Sequence, residues 1–124
     1  MRFQTLVLVM LTLLSLQPVA AQSRNDLPSC DLQTQRYLVG NTSGNLTDIR
    51  HAHISARANV LDADISTSQK ARRMTEANAD YLFKRVEEIR KQSGSFVKQQ
   101  GFLSAAEKAS FDREFDAIAG QLCE

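Results

Sequence analysis

Residues 101–122, GFLSAAEKASFDREFDAIAGQL, spell out one amphipathic helix with its start signal. Ser104 followed three residues later by Glu107 is a capping box, in which the hydroxyl and the carboxylate each satisfy a free amide of the first turn. Phe111, Phe115, Ile118 and Leu122 then recur at steps of four, three and four, which sets them on one stripe of a 3.6-residue helix. Gly101, just upstream, supplies the left-handed stop of a preceding helix. A unit of this kind predicts an all-α fold and gives the rule for reading the rest of the chain.

Residues 66–69 (STSQ) repeat the device, so a long helix is expected to start there and to run to about residue 100. Ala71, Met74, Asn78, Leu82, Val86 and Ile89 keep helical register, and Phe96 and Val97 carry the apolar face past Gly94. Upstream, residues 41–45 (NTSGN) are loop chemistry, and Asn45 is expected to cap a helix from Leu46 to about residues 61–64. Its apolar positions form two interleaved sets, Leu46, Ile49, Ala56, Val60 and Ala63 with Ile54, Ala58, Leu61 and Ile65, predicting burial on a wide face. A short first helix, capped by Ser29, takes in Leu32, Tyr37, Leu38 and Val39 and stops at Gly40; QRYLV and DIRHAHI as arms of a β-hairpin are the alternative. The sum is a three- or four-helix bundle with one long central helix.

The two start signals align as Ile65-Ser66-Thr67-Ser68-Gln69-Lys70-Ala71 with Leu103-Ser104-Ala105-Ala106-Glu107-Lys108-Ala109. Over residues 61–122 the chain resembles a group of small exported proteobacterial helical proteins built from repeated Gly-x-[Ile/Leu]-[Ser/Thr]-x-x-Glu helix-start units. Its best match is Gly101-Phe102-Leu103-Ser104-Ala105-Ala106-Glu107; the first copy departs, with Ala63 in the glycine position and Gln69 for the acid. The resemblance implies export and a helical fold, and brings no general function with it.

Residues 1–21 read as a removable export signal. Arg2 gives the positive start, residues 6–16 (LVLVMLTLLSL) the apolar stretch, and Val19-Ala20-Ala21 the small side chains of a cleavage site. A membrane anchor is the rival reading, but Gln4, Thr5, Ser15, Gln17 and Pro18 dilute a stretch that a spanning helix needs almost wholly apolar. Cleavage leaves residues 22–29 as a flexible lead-in and residues 30–124 as a single helical domain, periplasmic or secreted, with no stable membrane insertion afterwards. In that oxidising setting Cys30 and Cys123, the only cysteines, are expected to form a disulfide joining the two ends of the domain.

Charge excludes a polyanion binder. Removing Arg2 from fifteen basic residues leaves fourteen against fourteen acids, so no nucleic-acid partner is expected. Residues 70–98 are nonetheless basic and residues 107–124 acidic, and the two segments are expected to pack side by side. Asp112 and Asp116 share a face with nothing obvious to pair, and are expected in solvent. His51 and His53, two apart, would sit roughly 200° apart on a helix and cannot share one metal, whereas on a strand they would share a face. His53 is expected near the Ile49 and Ala56 face and His51 in water. Asp62-Ala63-Asp64 begins like a calcium loop, but Thr67 and Arg73 occupy its glycine and glutamate positions.

Neither a nucleophile elbow nor a phosphate-binding glycine loop is present in the sequence, and no cofactor is expected. Asn41 and Asn45 each open a glycosylation sequon, though loop and cap chemistry explain both. The expected role is therefore binding to a protein partner, as an inhibitor, immunity factor or chaperone, not catalysis. The candidate contact residues are Arg72, Arg73, Tyr81, Arg85 and Arg90 on the long helix. The alternatives are a metal or small-molecule binder using His51 and His53, and a structural envelope protein.

Overall fold

The computed structural model describes residues 26–123; the expected leader and the first half of the lead-in lie outside them. The regular elements are α1 (Leu32–Arg36), α2 (Ile49–Lys70), α3 (Glu76–Gln100) and α4 (Ala105–Leu122), preceded by a 3-10 turn at Pro28–Cys30. The described residues contain no strand, so the hairpin alternative falls. Short connections make α2, α3 and α4 an up-down-up bundle, with α2 packed against both of the others. No helix among the described residues is long and apolar enough to cross a membrane.

The core is aliphatic with two phenylalanines. Ile54, Ala58, Leu61 and Ile65 of α2 meet Ala79, Leu82, Val86 and Ile89 of α3, and Phe111, Phe115, Ile118 and Leu122 of α4 close the third side. Only one of the two sets expected to be buried on α2 is inside, because Ile49 and Ala63 face water. The stripe is completed by polar side chains instead: His53, Arg57, Asp64 and Ser68 are buried along it.

Residues 26–40 form a strap laid along the seam between α2 and α4, antiparallel to α4. Leu27 enters the core, and the Ser29 amide donates to Asp64 Oδ2 over 2.8 Å, so packing begins upstream of Cys30. Cys30 and Cys123 are joined by the expected disulfide, with Cα atoms 5.8 Å apart and a sequence separation of 93. In the chain-entropy account a loop of that size contributes about 4–5 kcal/mol. At the far end of the strap Gly40 is buried against α2, where an added Cβ would overlap the Ala52 carbonyl. Close approach, not a left-handed helix stop, is what Gly40 serves; α1 has already ended at Arg36, and Asp31 rather than Ser29 caps it.

Two further boundaries differ from expectation. Asp48, not Asn45, caps α2, accepting from the His51 amide at 2.8 Å. The Ser66–Gln69 signal starts nothing, because α2 continues through it with Ile65 and Ser68 on the buried stripe and Thr67 Oγ1 donating to the Ala63 carbonyl. The helix ends in a Schellman arrangement, with Arg73 N donating to Ser68 O (2.9 Å) and Arg72 N to Gln69 O (3.0 Å). That geometry puts Arg72 in the left-handed region at φ 58°, where glycine is usual. Thr75 then caps α3 through the Asn78 amide, and α3 passes Gly94 to end at Gly101, φ 87°. The α4 start is as read, with Ser104 accepting from the Glu107 amide at 3.1 Å.

Candidate binding site beside a buried ionic centre

The segments 70–98 and 107–124 do pack side by side, α3 against α4, but their charges do not pair: among the described residues no ion pair joins them. Asp112 and Asp116 of α4 turn instead to α2 and the strap. Arg57 projects from the apolar stripe of α2, three residues after Ile54 and four before Leu61, and its side chain is wholly buried. Its Nη1 donates to Asp112 Oδ1 (3.0 Å) and to the Asp112 carbonyl (3.2 Å), while Nη2 donates to Asp116 Oδ1 (3.0 Å). The guanidinium lies over the Phe115 ring, 5.4 Å from its centroid.

Asp112 is the hub. Besides Arg57 it takes His53 Nε2 on Oδ1 (2.7 Å) and Lys108 Nζ on Oδ2 (2.8 Å). Burial alone would raise the carboxyl, but hydrogen bonds from His53, Lys108 and Arg57 overcome it and push it down to about 2. Asp112 is therefore buried as a carboxylate rather than solvated. Asp116 holds Arg57 on one oxygen and Arg36 of the strap on the other (2.8 Å). The opposite nitrogen of His53, Nδ1, lies 2.7 Å from the Leu38 carbonyl. The two ring nitrogens thus face one oxygen on α4 and one on the strap. Arg36 and His53 tie the later part of the strap to α4 and α2, as the Cys30–Cys123 bond and the Ser29 amide on Asp64 tie its beginning.

Beside this centre a groove of about 540 Å³ opens between the strap and the first half of α4. Tyr37, Ala105 and Ala109 line it together with Arg36, Lys108 and Arg113 and the carboxylates of Asp112 and Asp116. Tyr37 is 79% exposed and Val39, two residues along the strap, 90%. Asp48 and Arg50 at the start of α2 both hydrogen-bond the main chain of Leu103, so Ile49 and Phe102 share this end of the bundle. Phe96, in the last turns of α3 and tilted against Phe111 with centroids 6.0 Å apart, adds to the exposed apolar side chains there.

The two histidines are not a pair. His51 is half-buried, not in water, with Nδ1 hydrogen-bonded to Ser93 Oγ at 2.7 Å; burial is the chief cause that lowers its pKa. His53 is on another face, held as described. The described residues contain no group of three metal-ligating side chains. Asp62 and Asp64 lie inside α2, and Asp64 serves the strap.

The candidate contact residues do not converge. Arg72 and Arg73 sit at the α2–α3 turn, Arg73 within 3.8 Å of Asp26. Tyr81 is exposed on α3 with the Arg85 guanidinium 6.0 Å from its ring centroid. Arg90 is committed internally, donating to Glu87, Ser55, Asn59 and Asp62. The last of these sits beside Glu87; burial first, then Glu87, pushes the Asp62 carboxyl up to about 7 against the pull of Arg90. Comparison with family models, with curated proteins and with solved structures finds no match.

Proposed function

We propose that this is an exported protein that acts by binding a protein partner in the periplasm or outside the cell, in an inhibitor, immunity or chaperone-like role. The observation that supports the reading is the distribution of apolar side chains. A body with a packed core leaves Tyr37, Val39, Ile49, Tyr81, Phe96 and Phe102 in water, and all but Tyr81 lie toward one end, away from the disulfide. Scattered single apolar residues need no explanation, but a gathered set marks an interaction surface. Aromatic side chains with polar neighbours are also the residues that dominate binding energy in protein interfaces.

A photoreactive benzoylphenylalanine at Val39 or Phe102, with Arg72 at the opposite end as control, tests the reading in the native compartment. A discrete adduct with another protein from the first two positions, and none from Arg72, is the expected result. Adducts only with a second copy of the chain, or equal adducts from all three positions, would overturn it.

A further inference from the structure

Resting on that reading, we infer that the groove between the strap and α4 takes an acidic segment of the partner that also carries an apolar side chain. The inference comes from counting charge around the ionic centre. Arg36, Arg57 and Lys108 face two carboxylates, Asp112 and Asp116. Both carboxylates are turned inward, with side chains 9% and 15% exposed, whereas Arg36 is 56% exposed. Each acid is already contacted by at least two cations, so the surplus positive charge is carried on the outer side. Arg113 adds to it, exposed, with no ion pair or hydrogen bond among the described residues.

Between these cations the lining holds the Tyr37 ring, the methyl groups of Ala105 and Ala109 and the stems of the long basic side chains, together with the ion-paired Asp112 and Asp116. The small residues at 105 and 109, one turn apart on α4, are what leave the groove open. A leucine- or phenylalanine-sized side chain fits that floor, and a neighbouring glutamate or aspartate meets Arg36, Lys108 or Arg113. Guanidinium groups suit this role because they bind carboxylates through two parallel hydrogen bonds. A continuous polyanion is disfavoured, since Asp112 and Asp116 stand in the groove wall among the cations and repel a chain of unbroken charge. The same argument separates this surface from Arg72 and Arg73, which lie at the other end with no groove of this composition.

The test titrates the oxidised, 15N-labelled chain with an acetylated and amidated hexapeptide alternating Glu with Leu and Phe. Glutamine replaces glutamate in a second peptide, and a short single-stranded DNA serves as polyanion control. The glutamate peptide is expected to shift the amides of Tyr37, Ala105, Ala109 and Arg113, and to bind at least about fivefold more tightly than its glutamine counterpart. Added salt should narrow that difference. Arg113→Glu, at a position with no structural partner, should weaken the peptide about fivefold while leaving the fold unchanged. Equal binding of the glutamine peptide, equal binding of DNA, shifts centred elsewhere, or no shift at millimolar peptide would each overturn the inference. A partner captured from Val39 or Phe102 together with an indifferent acidic peptide would sink the chemistry proposed for the groove and leave the binding role standing.

Discussion

Asp112→Asn is the substitution whose effect the structure specifies most fully. The amide keeps an oxygen for His53 and Arg57 but puts N–H groups where Oδ2 accepts from Lys108, and it removes the charge that opposes a wholly buried guanidinium. The wild-type carboxyl falls from 3.8 to about 2 on folding, which by linkage is worth about 2 kcal/mol at neutral pH. Breaking a buried pair by removing one partner costs about 3–5 kcal/mol, but Asp116 still opposes Arg57, so about 2–3 kcal/mol is expected. Urea unfolding of the oxidised chain, followed by far-ultraviolet circular dichroism, measures the loss. The pH dependence carries the sign. A carboxyl depressed on folding contributes stability that is complete above its unfolded pKa of 3.8 and disappears as pH falls toward 2. The gap between wild type and variant should accordingly close at about pH 2. A loss below about 0.5 kcal/mol at pH 7, the size of an ordinary surface change, or a gap that persists unchanged in acid, would refute the reasoning.

Arg72→Gly should stabilise the protein by about 1 kcal/mol in the same assay, since glycine adopts the left-handed conformation without the side-chain penalty. Asp62→Asn should flatten the pH profile in the opposite window: a carboxyl raised from 3.8 to about 7 costs the wild type stability progressively as pH climbs through that range. The melting temperature of the variant relative to the wild type should therefore rise from pH 4 to 8. Gly40→Ala should cost about 1–3 kcal/mol, because the new methyl must displace the backbone of α2 at Ala52. Its hydrogen-exchange protection should fall most in residues 36–40.

What the chain announces on its own is the part of the fold written in local chemistry. The start of α4 was readable to the residue because its Ser104 cap, its stripe and the preceding Gly101 all agree. The α2–α3 boundary was not, since Ser66 and Gln69 form a valid start signal that the apolar stripe of α2 simply overrides. The actual stop places an arginine where glycine is the usual marker. Arg57 was within reach of the sequence: a charge spaced three from Ile54 and four from Leu61 belongs to the buried stripe. Asp112 and Asp116 share a face one turn apart and supply the two carboxylates such a charge needs. Only tertiary packing sets α4 against α2 so that they meet. The groove was illegible for the same reason, since Tyr37 and Ala109 become neighbours only once the strap lies along α4.

A seated strap is the premise of both the ionic centre and the groove, and nuclear Overhauser contacts in the oxidised chain test it most directly. The account predicts cross-peaks between the Leu38 side of the strap and the His53 ring, and between Tyr37 and the Ala105 and Ala109 methyls. Absence of these cross-peaks, with the Cys30–Cys123 bond intact and the α2–α4 contacts present, would contradict it.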